Sequence, residues 1–202
     1  MRVLSRIEQK QLSEYLVKNL SCSNLGIMVC LYTGIRIGEV CALKWKDISF
    51  DEQILYIHKT MQRIQKQDDG AEKTKIIITE PKRTCSIRII PLPDELFKLL
   101  KENRNSDDTF LLTGHHKYYI EPRTMQNRFK TVVKNCNIEE ANFHALRHTF
   151  ATRCVELGFD IKSLSEILGH ASVNITLNRY VHPSMKLKQR NMNKLSDLFA
   201  VK

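Results

Sequence analysis

Residues 143–182 read FHALRHTFATRCVELGFDIKSLSEILGHASVNITLNRYVH, and their punctuation predicts three consecutive short helices. The first runs from about His144 to Leu157, with apolar Leu146, Phe150, Ala151, Val155 and Leu157, and Gly158 ends it. Asp160 can cap the second, whose Ile161, Leu164, Ile167 and Leu168 form an inward stripe before Gly169. Ser172 can cap the third, which carries Val173, Leu177 and Tyr180 and stops before Pro183. His144 and Arg147, three apart, share a face, and His170 falls in the turn beyond Gly169. Taken singly, His144 reads as a hydrogen-bonded core histidine, Arg147 as a surface charge with a buried stem and Tyr180 as a half-buried aromatic. Packed scaffolding that gathers two imidazoles, a guanidinium and a phenol is a different matter, and only a partner elsewhere in the chain decides it.

Working outward, 202 residues suffice for one sizeable core, and a hydrophobic content of 42% is that of a globular chain. Thirty-two Lys and Arg against 22 Asp and Glu give a net charge of +10, which suits a polyanion, nucleic acid first and an anionic membrane surface second. No apolar run approaches the roughly 20 residues that span a bilayer, and no signal peptide opens the sequence. The six cysteines include no C-x-x-C pair and read as reduced thiols of a cytosolic protein. His144 and His148 are four apart, but Ala145 stands where a metalloprotease helix needs Glu, so no metal is expected.

Toward the N-terminus, Ser5-x-x-Glu8 is a capping box that opens a helix through about Asn19, with Ile7, Leu12, Tyr15 and Leu16 inward. A second helix, about Asn24–Tyr32, is apolar nearly all round and therefore buried. Gly34 breaks it, and Arg36 and Glu39 follow three apart at the start of the next, an expensive pair between buried segments unless each finds a partner. Ile54–Ile57, Lys75–Ile78 and Ser86–Ile90 alternate as strands of one small antiparallel sheet, with Gln65–Lys73 an exposed loop. The turn Glu80-Pro81-Lys82-Arg83-Thr84 is either a solvated turn or a reach toward a phosphate. Helices over about Pro93–Asn103 and Arg123–Asn135 follow, with a short extended Phe110-Leu111-Leu112 between them. Ser184–Phe199 reads as a last amphipathic helix. The expected class is α+β, mainly helical, with a sheet of about three strands; residues 1–183 form the domain and 184–202 a separable tail.

Thr33-Gly34-x-Arg36-x-Gly38-Glu39, Pro81-Lys82, His144-x-Leu146-Arg147-His148-Thr149, Leu168-Gly169-His170 and Arg179-Tyr180-x-His182, in this order, resemble the catalytic domain of the tyrosine recombinase (phage integrase) family from about Leu4 onward. The resemblance implies a site-specific enzyme of mobile DNA that cuts and rejoins strands through a 3′-phosphotyrosine, with no cofactor, metal or nucleotide. Arg36 and Arg147 would hold the scissile phosphate, since guanidinium forks match its oxygens. His170 would add a hydrogen bond, Tyr180 would be the nucleophile, and His144 its candidate base. Lys82 matches the general acid, although Arg83 stands where the family often has threonine and Lys73 and Lys75 lie nearby. Glu39 would brace Arg36. The implied partner is double-stranded DNA, bound by a homotetramer of the full-length protein in the bacterial cytoplasm at the nucleoid, and no membrane. Because the family's N-terminal DNA-binding module is missing, the chain is expected to be a fragment that binds DNA weakly. The tail is expected to dock in cis or on a neighbouring protomer. A type IB topoisomerase-like enzyme would share the chemistry without exchanging partners, and a lapsed DNA-binding domain would have lost a key side chain, which this sequence has not.

Overall fold

The computed structural model describes residues 2–65, 74–81, 84–181 and 185–198. Its helices are α1 (Arg6–Lys18), α2 (Cys22–Thr33), α3 (Ile37–Ala42), α4 (Asp94–Glu102), α5 (Pro122–Asn135), α6 (His144–Glu156), α7 (Ile161–Leu168), α8 (Val173–Tyr180) and α9 (Met185–Asn193). Its strands are β1 (Ile48–Ser49), β2 (Ile54–Ile57), β3 (Thr60–Gln65), β4 (Thr74–Thr79) and β5 (Arg88–Pro91).

The α1 capping box forms, with Ser5 Oγ accepting from Glu8 N and Glu8 Oε2 from Ser5 N. Leu12 and Leu16 are fully buried, but Ile7, expected on that inward face, is exposed. The one-face reading of α1 therefore holds only from its second turn onward. Helix α2 is buried nearly all round, as its composition requires, and each such leucine or isoleucine taken from water contributes about 1.5–3 kcal/mol. Caps set the ends of the later helices: Asp160 accepts from Ser163 N, Ser172 from Asn174 N, and Gly34 and Gly169 close α2 and α7 in the left-handed region at φ 67° and 63°.

The strands depart from expectation. Leu55 of β2 sits opposite both Ile48 of β1 and Ile90 of β5, so β1, β2 and β5 make an antiparallel sheet of their own. The isoleucine run 76–78 does not join it; β4 pairs with β3 in a separate hairpin, Thr60 opposite Thr79 through Gln65 opposite Thr74. Strand β3 was hidden because Thr-Met-Gln-Arg-Ile-Gln lacks a period of two, only Met61 being deeply buried. Local pairing along one hairpin closes a shorter loop than pairing across to β2. Residues 66–73 of the expected loop lie outside the described residues, and Phe110–Leu112 forms one bridge, Phe110 to Lys44, and then a turn.

Two apolar clusters result. The larger joins α1, α2, α4, α5, the sheet and the start of α6; the smaller is Ala151, Cys154, Leu164, Leu168 and Tyr180, from α6, α7 and α8. The triple-helix stretch thus builds its own satellite core, with Tyr180 inside it. Leu157, expected inward, is exposed beyond the last turn of α6. Among the described residues of the tail, Met185, Met192 and Leu195 are exposed. No helix among the described residues is long and apolar enough to cross a membrane.

Candidate active site

Three guanidinium groups converge on the carboxyl end of α7. Arg147 donates to Leu168 O at 2.7 Å and to Gly34 O at 2.7 Å, the end of α2. Arg36 donates to Gly169 O at 3.0 Å, and Arg88 to Ile167 O at 2.6 Å. Helix carboxyl ends carry unpaired carbonyls and the negative pole of the dipole, so they are suited to fix cations. The two left-handed glycines matter here because each turns its carbonyl toward an arginine. A Cβ at Gly34 would lie 2.4 Å from Phe150 Cδ1, and one at Gly169 3.0 Å from Cys85 O.

Glu39 ties two of these cations together. Only 3% exposed, it accepts from Arg36 Nη1 at 2.9 Å and takes both forks of Arg88 at 3.0 and 2.9 Å. Burial pushes its carboxyl up, but the Arg88 hydrogen bonds and the charges of Arg88 and Arg36 more than offset this, holding it below the usual range. Gly38 lets α3 approach β3, since a Cβ there would meet Met61 O at 2.7 Å. Arg88 was missed by the sequence reading; a lone cation in the apolar strand Ile87-Arg88-Ile89-Ile90 was the available signal.

Helix α6 supplies Arg147, His144 and His148 on neighbouring turns. Arg147 is buried, and burial together with Arg36 lowers it to about 9, so it remains cationic at neutral pH. His144 is exposed and, with Arg147 and Asn142, lines a cleft of about 200 Å3. Its pKa is lowered by burial of part of the ring and by Arg147, Arg179 and Arg36. Tyr180 is 6% exposed, and its hydroxyl lies 2.9 Å from His148 Nδ1. In the sequence, His148 stands out by its spacing from His144 and as a member of the α6 motif, with nothing to mark it as a partner of Tyr180. The His170 ring runs parallel to the phenol, at 5° and 6.3 Å between centroids, and its Nδ1 is 2.8 Å from Thr176 Oγ1. Burial and the surrounding arginines bring His170 down to about 4, and burial with His144 brings His148 to about 4, so both rings are neutral at pH 7. Burial raises the Tyr180 phenol, with Arg147 and Arg179 pulling the other way.

Arg36, Glu39, Arg147, His170 and Tyr180 are thus linked through α7 and α8, with His144 at the cleft beside Arg147. Lys82 and His182 lie outside the described residues. A larger groove of about 880 Å3, lined by Ile87, Ile89 and Ile167, touches Arg88 but none of the expected site residues, and it is not the site. Among the described residues no His, Cys, Asp and Glu cluster could hold a metal ion.

A cleft lined by a preorganised arginine and a histidine is equipped to stabilise negative charge on a phosphoryl centre. The sequence matches the pattern described as "Phage integrase family" over residues 2–186. A protein named tyrosine recombinase XerC-like, from Caldanaerobacter subterraneus, is 33% identical over 184 residues, 83% of this chain and 47% of that protein. Tyrosine recombinase XerA of Pyrococcus furiosus is 28% identical over 179 residues, 86% of this chain and 54% of that protein. The chain spans about half the length of these relatives. Among solved structures, the Tn1549 transposon integrase in complex with a circular intermediate DNA superposes with a TM-score of 0.72 at 25% identity, covering 96% of this chain and 65% of that one. XerA recombinase gives 0.69 at 25% identity, with 96% and 63% covered.

Proposed function

The chain belongs to the phage integrase family, and from that premise we propose that it is the catalytic part of a site-specific recombinase, breaking and rejoining DNA through a phosphotyrosine at Tyr180. The observation that carries the reading is Tyr180, 6% exposed and within the electrostatic reach of Arg147, a guanidinium that is already desolvated and oriented. Arg147 and Arg36 hold the scissile phosphate, and Arg36, with 36% of its side chain exposed, keeps donors free for it. Each such donor is worth on the order of 3–4 kcal/mol in the transition state. His170, neutral and fixed by Thr176, donates a further hydrogen bond. Lys82 protonates the departing 5′ oxygen, and Glu39 with Arg88 positions Arg36. The phenolic proton leaves toward the α6 histidines, of which His144 is the base the family resemblance implies. Double-stranded DNA is the substrate, and the full-length protein acts as a homotetramer in the cytoplasm.

The test is a pool of nicked suicide duplexes with randomised cores, from which the 3′ fragment diffuses away after cleavage. A denaturant-resistant protein–DNA band that disappears in Tyr180→Phe is expected. A band that persists in that variant overturns the assignment.

A further inference from the structure

Two imidazoles stand one turn apart on α6, their rings edge to face with centroids 4.6 Å apart, and they do different things. His144 is exposed at the cleft and, among the described residues, makes no hydrogen bond to the phenol. His148 is half-buried behind it, and its Nδ1 lies 2.9 Å from Tyr180 Oη, within the reach required of a proton acceptor. The His170 ring lies parallel to the phenol, 6.3 Å away between centroids.

We propose that His148, through Nδ1, takes the proton of Tyr180 as the phenolic oxygen attacks phosphorus, leaving His144 to contact the phosphoryl oxygens. The assignment rests on the strand-breaking reading above. In the step, the Tyr180 Oη–P bond forms and the P–O5′ bond breaks. The phenolic proton passes to His148, and the 5′ oxygen leaves with a proton from a separate acid. His148 is neutral beforehand, since burial and the charges around it bring it to about 4. Among the described residues, the groups facing it are His144 and Arg147 on α6 and Arg179 and Tyr180 on α8, and the N-terminal amine adds further positive charge. None is a carboxylate, so the apo ring is a weak base. A phosphodiester entering beside Arg147 brings negative charge and raises it toward its ordinary range, coupling basicity to the presence of substrate. The imidazolium formed among cations then returns its proton readily when a 5′ hydroxyl attacks the phosphotyrosine. One residue thus serves cleavage and rejoining.

The test measures single-turnover adduct formation on the best duplex from the pool. His148→Asn keeps an acceptor oxygen near the Nδ1 position but cannot carry a proton; His148→Gln is the second variant should Asn lower the melting temperature. The expected result is a loss of at least about 100-fold at pH 7 with DNA affinity kept within about threefold, general bases being worth roughly 10²–10⁴. The variant's rate should then climb about tenfold per pH unit as hydroxide substitutes for imidazole, whereas His144→Asn keeps the unaltered protein's profile. A loss below about tenfold overturns the proposal, as does a larger loss with an unchanged pH profile or a hydroxide dependence that appears in His144→Asn instead. Adduct formation by the unaltered chain separates these outcomes from failure of the recombinase reading; its absence on every duplex overturns both.

Discussion

Glu39 accepts from two guanidinium groups at once, and its removal strands a buried cation. Arg88 has 5% of its side chain exposed and three of its hydrogen bonds end on Glu39 or Ile167. Glu39→Gln should therefore destabilise the protein by about 3–5 kcal/mol, read as a lower urea midpoint, and Glu39→Gln combined with Arg88→Met should recover part of the loss. A single variant as stable as the parent would show that the pair is not the brace described. Acid should act on the same neighbourhood. His148 and His170 fall from about 6.5 in the unfolded chain to about 4 when folded, so the unfolded state takes up protons first. Their contribution is complete above about pH 6.5 and drains as pH falls toward 4, and Glu39, also depressed, adds to the loss below its usual value. Urea midpoints should fall steadily from pH 7.5 to 4.5; a flat series would contradict the shifts. At this scale the sequence was partly legible. Arg36, Glu39, Arg147, His170 and Tyr180 were singled out by spacing and resemblance, and the fold gathers them around α7 and α8. Arg88 and His148 were not, because their importance comes from partners 49 and 32 positions away.

At the level of elements, cap chemistry was the most readable signal, since Ser5, Asp160, Ser172, Gly34 and Gly169 act on groups within a few residues of themselves. Strand pairing was not readable, because nothing local to Ile76–Ile78 says whether β2 or β3 lies beside it. The glycines allow a controlled test. Gly158 and Gly169 are both left-handed, at φ 83° and 63°, but a Cβ at Gly158 meets nothing within 4 Å whereas one at Gly169 meets Cys85 O and Arg88. Gly158→Ala should cost only the backbone penalty of about 1–2 kcal/mol and leave adduct formation intact. Gly169→Ala should cost more and slow adduct formation at least about tenfold, a displacement near the phosphate of about 1 Å sufficing for such losses. Equal effects in melting and adduct assays would mean that the α7 end does not position the arginines.

Across the whole molecule, the net charge of +10 would set how the chain meets DNA under the proposed function. If it neutralises 6–10 phosphates, affinity for any duplex should drop about 10³–10⁵-fold between 50 and 200 mM salt, measurable by fluorescence anisotropy. Binding that is tight and indifferent to salt would contradict a contact made mainly through the backbone. Composition pointed to a polyanion partner and the chain's order of motifs to its family, while the split into two sheets and the satellite core around Tyr180 needed coordinates. One feature of that satellite core reaches furthest. The eight residues of α7 end in carbonyls that anchor Arg36, Arg88 and Arg147 together, so these cations share a single mooring. Sliding that short rod by the length of a hydrogen bond would take one anchor from all three in a single movement, leaving Arg36 and Arg88 on Glu39 and Arg147 on Gly34. Silencing such a site would then require no plug in its cleft, only a grip on the helix whose end holds its arginines.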